Sequence, residues 1–386
     1  MKFFCKNEEQ SSIKELLENK RDPESERLTR FLAMPDLSRT PGSPIYELAQ
    51  IILNLKDFKD FDAIEVPEIV KADISFDLFN FPQDHPARKK TDTYFLNDEY
   101  ILRTHTTIMW YYWLNEPEVK SKIEKGKSVG VLSYGKVYRK DEIDRNHMNV
   151  FHQMDGWYLC KKSDKIITIQ DLQDVLASIA KAVFGEKVKY RFNQDQFPYT
   201  DPSVEMEIDK SSLTGGGKEP EWIEVLGSGV VRGTVLKNLG VDSDAYNGWA
   251  FGFGLERLAI VSMELPDIRL LWSMDERVKK QLVLGNVYKE VSKFPPITRD
   301  ISFIVSKDFV PNNYYDLIRD VGGGLVEEMK LLDTYTDAEK FGSEKISYTF
   351  RIIYRSNERT LISSEVDAIQ DKIYQATAEQ FKAELR

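Results

Sequence analysis

Between residues 94 and 226 the chain is a succession of short β-like runs, and this succession limits the fold more than any other feature. The runs fall at 94–96, 100–103, 128–138, 150–159, 203–208 and 222–226, with polar and glycine-bearing segments between them. A single strongly amphipathic helix, at 169–184, interrupts them. Parallel βαβ units need a crossover helix after each strand, and too few are present. The expected fold class is therefore α+β, a largely antiparallel sheet with a few helices against it.

The C-terminal stretch repeats this logic on a smaller scale. Phe294-Pro-Pro296 punctuates its start, and Ile301, Phe303 and Val305 alternate as a strand. A helix over 314–321 stops at Gly322-Gly-Gly324, a strand follows at 325–335, and Ile346, Tyr348, Phe350, Ile352 and Tyr354 alternate as another. Ser364 with Asp367 reads as a capping box for a last helix reaching Leu385. The order β-α-β-β-α is the ferredoxin-like pattern. The expected domains are an arm at 1–40 with one short helix near 12–19, a large domain at 41–275, a linker at 276–292 and the small domain at 293–386. Asp22-Pro23 and the segment 40–44 are read as helix breakers, a helix opens near 45–55, and Lys210 to Pro220, with glycines at 215–217, is read as a loop.

Composition excludes several classes. No apolar run approaches the ~20 residues of a membrane span. A net charge of −10 over 386 residues argues against non-specific nucleic-acid binding. Cys5 and Cys160 read as free thiols of a reducing compartment. The first forty residues mix Glu8, Glu9, Glu15 and Glu18 with Lys and Arg, unlike a secretory or transit segment. A cytoplasmic protein is the expectation; the mitochondrial matrix is the alternative implied by the family resemblance described below.

Two stretches carry chemistry. Residues 137–153, Val-Tyr-Arg-Lys-Asp-Glu-Ile-Asp-Arg-Asn-His-Met-Asn-Val-Phe-His-Gln, set Arg139, His147 and Phe151 at hairpin spacing. Residues 248–260, Gly-Trp-Ala-Phe-Gly-Phe-Gly-Leu-Glu-Arg-Leu-Ala-Ile, make a glycine-loosened strand running into a helix that carries Arg257. Cations for phosphates, with a ring and a guanidinium plane to sandwich a base, suit a nucleoside triphosphate. Taken singly, each has a duller explanation: a strand arginine is usually a surface charge, and Glu224 a strand-end carboxylate. The four histidines, His85, His105, His147 and His152, cluster in sequence, but their spacings fit no zinc pattern. Arg351, Arg355 and Arg359 beside Phe350 and Tyr354 could hold single-stranded RNA, or be a solvated strand edge.

The ordered set of motifs resembles the phenylalanyl-tRNA synthetases of the single-chain, mitochondrial type, from Thr40 to the C-terminus. Residues 75–88 end in His85-Pro-Ala-Arg88 as that family's segment does, and Thr91-Asp-Thr-Tyr-Phe-Leu96 and Leu102-Arg-Thr-His-Thr106 follow in order. Residues 137–153 resemble its class II motif 2, residues 248–260 its motif 3, and Glu224-Val-Leu-Gly-Ser-Gly-Val230 its Glu-Leu-Gly-Cys-Gly block. Arg299-Asp-Ile-Ser-Phe303 and Glu358-Arg-Thr-Leu361 resemble its ferredoxin-like anticodon-binding module.

The resemblance implies a class II catalytic domain that adenylates phenylalanine with ATP and Mg²⁺ and transfers it to tRNA(Phe). It implies catalytic roles for Arg139, His147 and Arg257. Phe151 and Arg257 would sandwich adenine, Asp141 would accept from its exocyclic amine, and Glu224 would meet Mg²⁺ or the ATP. The amino-acid pocket would comprise His105, Thr107, Gln153, Asp155, Phe197, Tyr199, Ala250 and Phe251, with tRNA met by Arg351, Arg355 and Arg359. His85 and His152 are read as structural. The chain departs from the family at three pocket positions: Asp155 replaces a usual Glu, Thr107 a usual Ser, and Tyr199 the second ring of Phe-Pro-Phe. Altered specificity toward a tyrosine-like substrate, or a non-charging RNA-binding or regulatory paralogue, are the alternatives. A monomer is expected.

Overall fold

The computed structural model describes residues 2–4, 8–213, 219–291, 294–356 and 358–386; the glycines at 215–217 and Cys5 lie outside these. The chain divides into two compact units. The first comprises the residues up to Tyr138, Val150–Leu265 and Leu282–Val287; the second comprises Arg139–Asn149, Pro266–Gln281 and Tyr288–Arg386.

An eight-stranded sheet organises the first unit. Its spatial order is Lys2–Phe4, Asp62–Glu65, Val129–Tyr138, Val150–Lys161, Tyr246–Gly254, Trp222–Val231, Thr200–Asp209 and Tyr190–Phe197. The first two junctions are parallel and the other five antiparallel, as the shortage of crossover helices predicts. Helices Ile169–Phe184 and Leu255–Met263 pack against it, and Pro44–Leu53 packs against those two helices. Thr168 and Asp171 close a capping box on the first of these.

Two local expectations need revising, and one strand was not anticipated. Residues 94–96 form no strand: Asn97 accepts from the Glu99 and Tyr100 amides, the chain bends there, and only a Phe95–Ile101 bridge remains. The strand Tyr190–Phe197 escapes sequence patterning because it is a sheet edge with polar residues on both faces. The first forty residues hold a strand, Lys2–Phe4, two helices, Glu8–Asn19 and Pro23–Ala33, and a 3-10 turn, Leu37–Arg39. Asp22-Pro23, read as a breaker, does separate these two helices, and it also starts the second: Asp22 accepts from the Ser25 amide at 3.0 Å, and proline occupies the first turn.

In the second unit a four-stranded sheet runs Val326–Tyr335, Lys345–Tyr354, Ile297–Ser306 and Glu384–Leu385. Helices Pro311–Gly322 and Ser363–Phe381 share its core with Phe303, Phe350, Ile352 and Tyr354. Gly323 ends the first helix at φ +56°, where a side chain is strained. The last helix begins one residue before the expected capping box. Ile362 is its N-cap with no side-chain bond, and Asp367 pairs with Arg299 at 2.8 Å instead. That helix also stops at Phe381, leaving Glu384–Leu385 to pair as a strand.

Candidate active site

Strand alternation sorts the candidate residues before any ligand is considered. Along Val150–Lys161, Phe151, Gln153, Asp155 and Trp157 share one face. Across the antiparallel pair, Trp157 faces Ala250, Asp155 faces Gly252 and Gln153 faces Gly254. Gly252 is required by close approach: a Cβ there would lie 2.7 Å from Asp155 Oδ1 and 3.2 Å from Gln153 Nε2. Phe251 falls on the opposite face, packed with Phe58, Trp249 and Phe253, where a side chain at Gly156 would collide with it. Its expected place in the amino-acid pocket is therefore corrected, since the two-residue period of a strand separates it from Ala250.

Asp155 is the electrostatic centre of this face. It is 3% exposed and accepts from Thr106 Oγ1 at 2.8 Å, Gln153 Nε2 at 2.9 Å and Thr107 Oγ1 at 2.5 Å. Arg103 holds the loop that carries both threonines, donating to Lys136 O at 2.7 Å and Val66 O at 2.6 Å. A buried carboxylate among neutral donors favours a cationic ligand such as an ammonium.

Rings stand nearby. Phe81 stacks on His105 at 5.8 Å, and Phe79 meets His105 edge-on at 6.1 Å. Tyr199 stacks on Phe197 at 5.8 Å and meets Trp110 edge-on at 6.4 Å, while Trp110 stacks on Trp157 at 4.6 Å. Phe197 lies against Gly227, where a Cβ would come within 2.5 Å of the ring. Thr106, Phe79, Phe81 and Trp110 were not singled out from sequence. The one available signal was their position: Thr106 sits between His105 and Thr107, and both phenylalanines lie within residues 75–88.

At the other end of the face the Phe151 ring edge is 4.0 Å from a Cβ position on Gly254, and Gly254 caps the helix that exposes Arg257. Glu224 is exposed on its strand; partial desolvation and then Glu205 raise its carboxyl above the usual range, and Arg257 opposes them. Asp195 and Glu207 add to the repulsion. Such a shortage of positive charge suits a cation arriving with a nucleotide. Among the described residues no three His, Cys, Asp or Glu side chains form a preassembled metal cluster.

Arg139, Asp141 and His147 belong to the second unit. Asp144 organises His147, accepting from its amide at 2.9 Å and pairing with its Nδ1 at 2.7 Å. Arg319 donates to the Asp141 and Glu142 carbonyls at 3.1 and 2.6 Å, and Ile143 is buried in the C-terminal core. His85 accepts from the Ala87 amide at 3.2 Å, matching its structural reading. The three arginines assigned to RNA are each paired with a carboxylate: Arg351 with both Asp300 oxygens at 2.7 Å, Arg355 with Glu327 at 3.0 Å, and Arg359 with Glu365.

Residues 40–282 match the family described as tRNA synthetases class II core domain (F), and residues 292–386 match the ferredoxin-fold anticodon binding domain. The chain is similar to the chloroplastic/mitochondrial phenylalanine–tRNA ligase of Arabidopsis thaliana, at 37% identity over 340 residues, 85% of this chain and 73% of that one. The mitochondrial phenylalanine–tRNA ligase of Mus musculus is 34% identical over 352 residues, 82% of this chain and 73% of that one. The mitochondrial phenylalanine–tRNA ligase of Saccharomyces cerevisiae is 31% identical over 429 aligned residues, 90% of this chain and 87% of that one.

Proposed function

The chain belongs to the phenylalanine–tRNA ligase family of class II tRNA synthetases, and on that footing we propose that it activates phenylalanine with ATP and esterifies it to tRNA(Phe). The carrying observation is the buried Asp155 carboxylate, bonded to Thr106, Thr107 and Gln153, on the face that also presents Ala250. A zwitterionic amino acid with an aromatic ring matches it: ammonium toward Asp155 and Gln153, ring toward Phe197 and Tyr199, with His105 and Thr107 lining the pocket.

Positioning and charge stabilisation do most of the work in such a reaction. The phenylalanine carboxylate attacks the α-phosphorus of ATP, forming the acyl-phosphate bond as the α–β anhydride breaks and pyrophosphate leaves. Arg139 holds both the amino-acid carboxylate and the α-phosphate, as a guanidinium can. His147, with Nδ1 engaged by Asp144, offers Nε2 to phosphate. Phe151 and Arg257 sandwich adenine and Asp141 accepts from its amine. Class II synthetases use ATP and Mg²⁺ in general; Mg²⁺ supplies charge neutralisation on the phosphates, and Glu224 is the residue here that would hold it. In the second half-reaction the 2′-hydroxyl of the tRNA terminal adenosine attacks the acyl carbonyl and AMP leaves.

The ferredoxin-like module meets the tRNA, and Arg351, Arg355 and Arg359 reach phosphate by exchanging carboxylate partners. The protein works as a monomer, so gel filtration returns a mass near 44.7 kDa. The cytoplasmic expectation finds no support in the organellar names of the relatives, and the matrix is the compartment proposed; co-fractionation with a cytosolic marker would overturn that. ATP–pyrophosphate exchange across the aromatic amino acids tests the activation step, with phenylalanine fastest. Charging of a tRNA(Phe) transcript tests the transfer step; exchange without charging would reduce the protein to an adenylating paralogue.

A further inference from the structure

His152 lies between two residues assigned to substrates, Phe151 and Gln153, yet points to the other face of the sheet. It is 0% exposed. Its Nδ1 is 2.6 Å from Glu256 Oε1, and its amide donates to both Glu256 oxygens at 2.9 and 2.8 Å. Its Nε2 is 3.3 Å from Asp36 Oδ1 and 2.9 Å from the Leu37 amide. Glu256 is itself 2% exposed and immediately precedes Arg257. Asp36 starts the 3-10 turn Leu37–Arg39, accepting from the Ser38 amide at 2.9 Å and pairing with Arg39 at 3.4 Å.

One imidazole therefore joins three segments far apart in sequence. They are the turn after the N-terminal helices, the strand carrying Phe151, and the helix carrying Arg257. The charged or titratable groups around it are Asp36 and Arg39 from the turn, Glu256 from the helix, Lys136 directly across on the neighbouring strand, and Arg103, close to Asp36 beside Gly135. Burial alone would lower the imidazole pKa, but Glu256 and then Asp36 outweigh it and raise it to about 9. In the charged ring, Nε2–H turns to Asp36; in the neutral ring, Nε2 accepts from Leu37. The Nδ1–H to Glu256 bond is common to both forms.

We propose that His152, braced by Asp36, is a positioning residue for the adenine sandwich: by gripping Glu256 it fixes the separation and angle of Phe151 and Arg257. This rests on the assignment of those two residues to ATP. Among the described residues, His152 ties the strand to that helix through both its ring and its backbone nitrogen.

The two ring nitrogens allow a specific test in pyrophosphate exchange. Asn can replace Nδ1 as donor to Glu256, whereas Gln reaches toward Asp36 and loses the side-chain bond to Glu256, keeping only the backbone ones. His152→Gln is expected to raise the KM for ATP about tenfold, the loss of roughly one charge-assisted hydrogen bond, with the phenylalanine KM within about twofold. His152→Asn is expected to stay within about threefold of the parent for ATP. Equal rises for ATP and amino acid in His152→Gln, or no rise, would overturn the proposal. If His152→Gln does not fold, Asp36→Asn takes its place: a raised ATP KM supports the brace and an unchanged one overturns it. Arg257→Ala separates the two levels. A normal ATP KM in Arg257→Ala sinks the sandwich assignment itself, while a raised one beside an unaffected His152→Gln sinks only the positioning role.

Discussion

Gly252→Ala is the sharpest probe of the amino-acid pocket, because the structure gives both its target and its size. Gly252 lies outside the left-handed region, so alanine brings no backbone strain. Its Cβ would lie 2.7 Å from Asp155 Oδ1 and 3.2 Å from Gln153 Nε2, closer than packed atoms approach. Asp155 cannot swing away cheaply, being buried and bonded to Thr106, Thr107 and Gln153. Displacing the carboxylate enough to relieve the clash forfeits one or two of these bonds, about 2–4 kcal/mol for bonds to a charged group. Since the substrate ammonium is proposed to meet the same carboxylate, most of that appears in phenylalanine activation. At ~1.4 kcal/mol per tenfold, kcat/KM for phenylalanine falls ~30- to ~1000-fold. Pyrophosphate exchange at saturating ATP measures it, with the ATP KM as internal reference. Gly254→Ala is the control, since a Cβ there finds only the Phe151 ring edge at 4.0 Å. A Gly252→Ala enzyme within twofold of the parent, with its fold intact, would refute the assignment of Asp155 to the substrate.

Other consequences follow from single contacts. Tyr199→Phe keeps the stack on Phe197 and loses only the hydroxyl, so phenylalanine activation should stay within about threefold; a gain in tyrosine activation would contradict the packing role. Asp300→Asn releases Arg351 from its bidentate partner, so the tRNA KM should fall about two- to fivefold and its salt dependence steepen by about one phosphate contact. Weaker or unchanged tRNA binding would remove Arg351 from the interface. Stability should fall as the medium turns alkaline. The folded His152 pKa, about 9, lies above its ordinary 6.5, so its contribution is fully present below 6.5 and lost as pH rises through 9. At most about 3 kcal/mol is involved, and a Tm that does not decline between pH 7 and 9.5, measured against His152→Asn, would contradict the buried pairing.

Sequence reading succeeded where a residue's role is set by its neighbours in the chain. Alternation at Phe350, Ile352 and Tyr354 announces a strand, and these three are buried in the C-terminal core. It failed where the partner lies far along the chain. Nothing local to His152 indicates Glu256, 104 residues on, or Asp36, which looked like part of a loose arm. The Phe251 error has the same root in reverse. Adjacent residues in a motif seem to share a site, but a strand sends Ala250 and Phe251 to opposite faces. Likewise Arg351, Arg355 and Arg359 read as a basic cluster because their carboxylate partners, Asp300, Glu327 and Glu365, are scattered through the module.

The three departures from the family's pocket are not three independent changes. Thr107 and Asp155 form one hydrogen-bonded unit at 2.5 Å, with Thr106 on the second carboxylate oxygen. Shortening Glu to Asp draws the charge back toward the strand, and the threonine hydroxyls fix it there. The proposed ammonium site is thereby held as a unit, separate from the rings proposed to meet the substrate side chain. Ring selectivity then reduces to Tyr199 and its surroundings. Its ring is fixed by Phe197 on one side and Trp110 on another, with Phe81 at 6.2 Å. A site that selects a substrate hydroxyl must bury a polar group dedicated to it, and this rejects the analogue lacking the hydroxyl by ~10⁴–10⁵. The wall around Tyr199 is aromatic, and Ala250 retains the small side chain the family has at that depth. On the proposed assignment the pocket suits phenylalanine, with the tyrosine at 199 contributing the ring that stacks on Phe197.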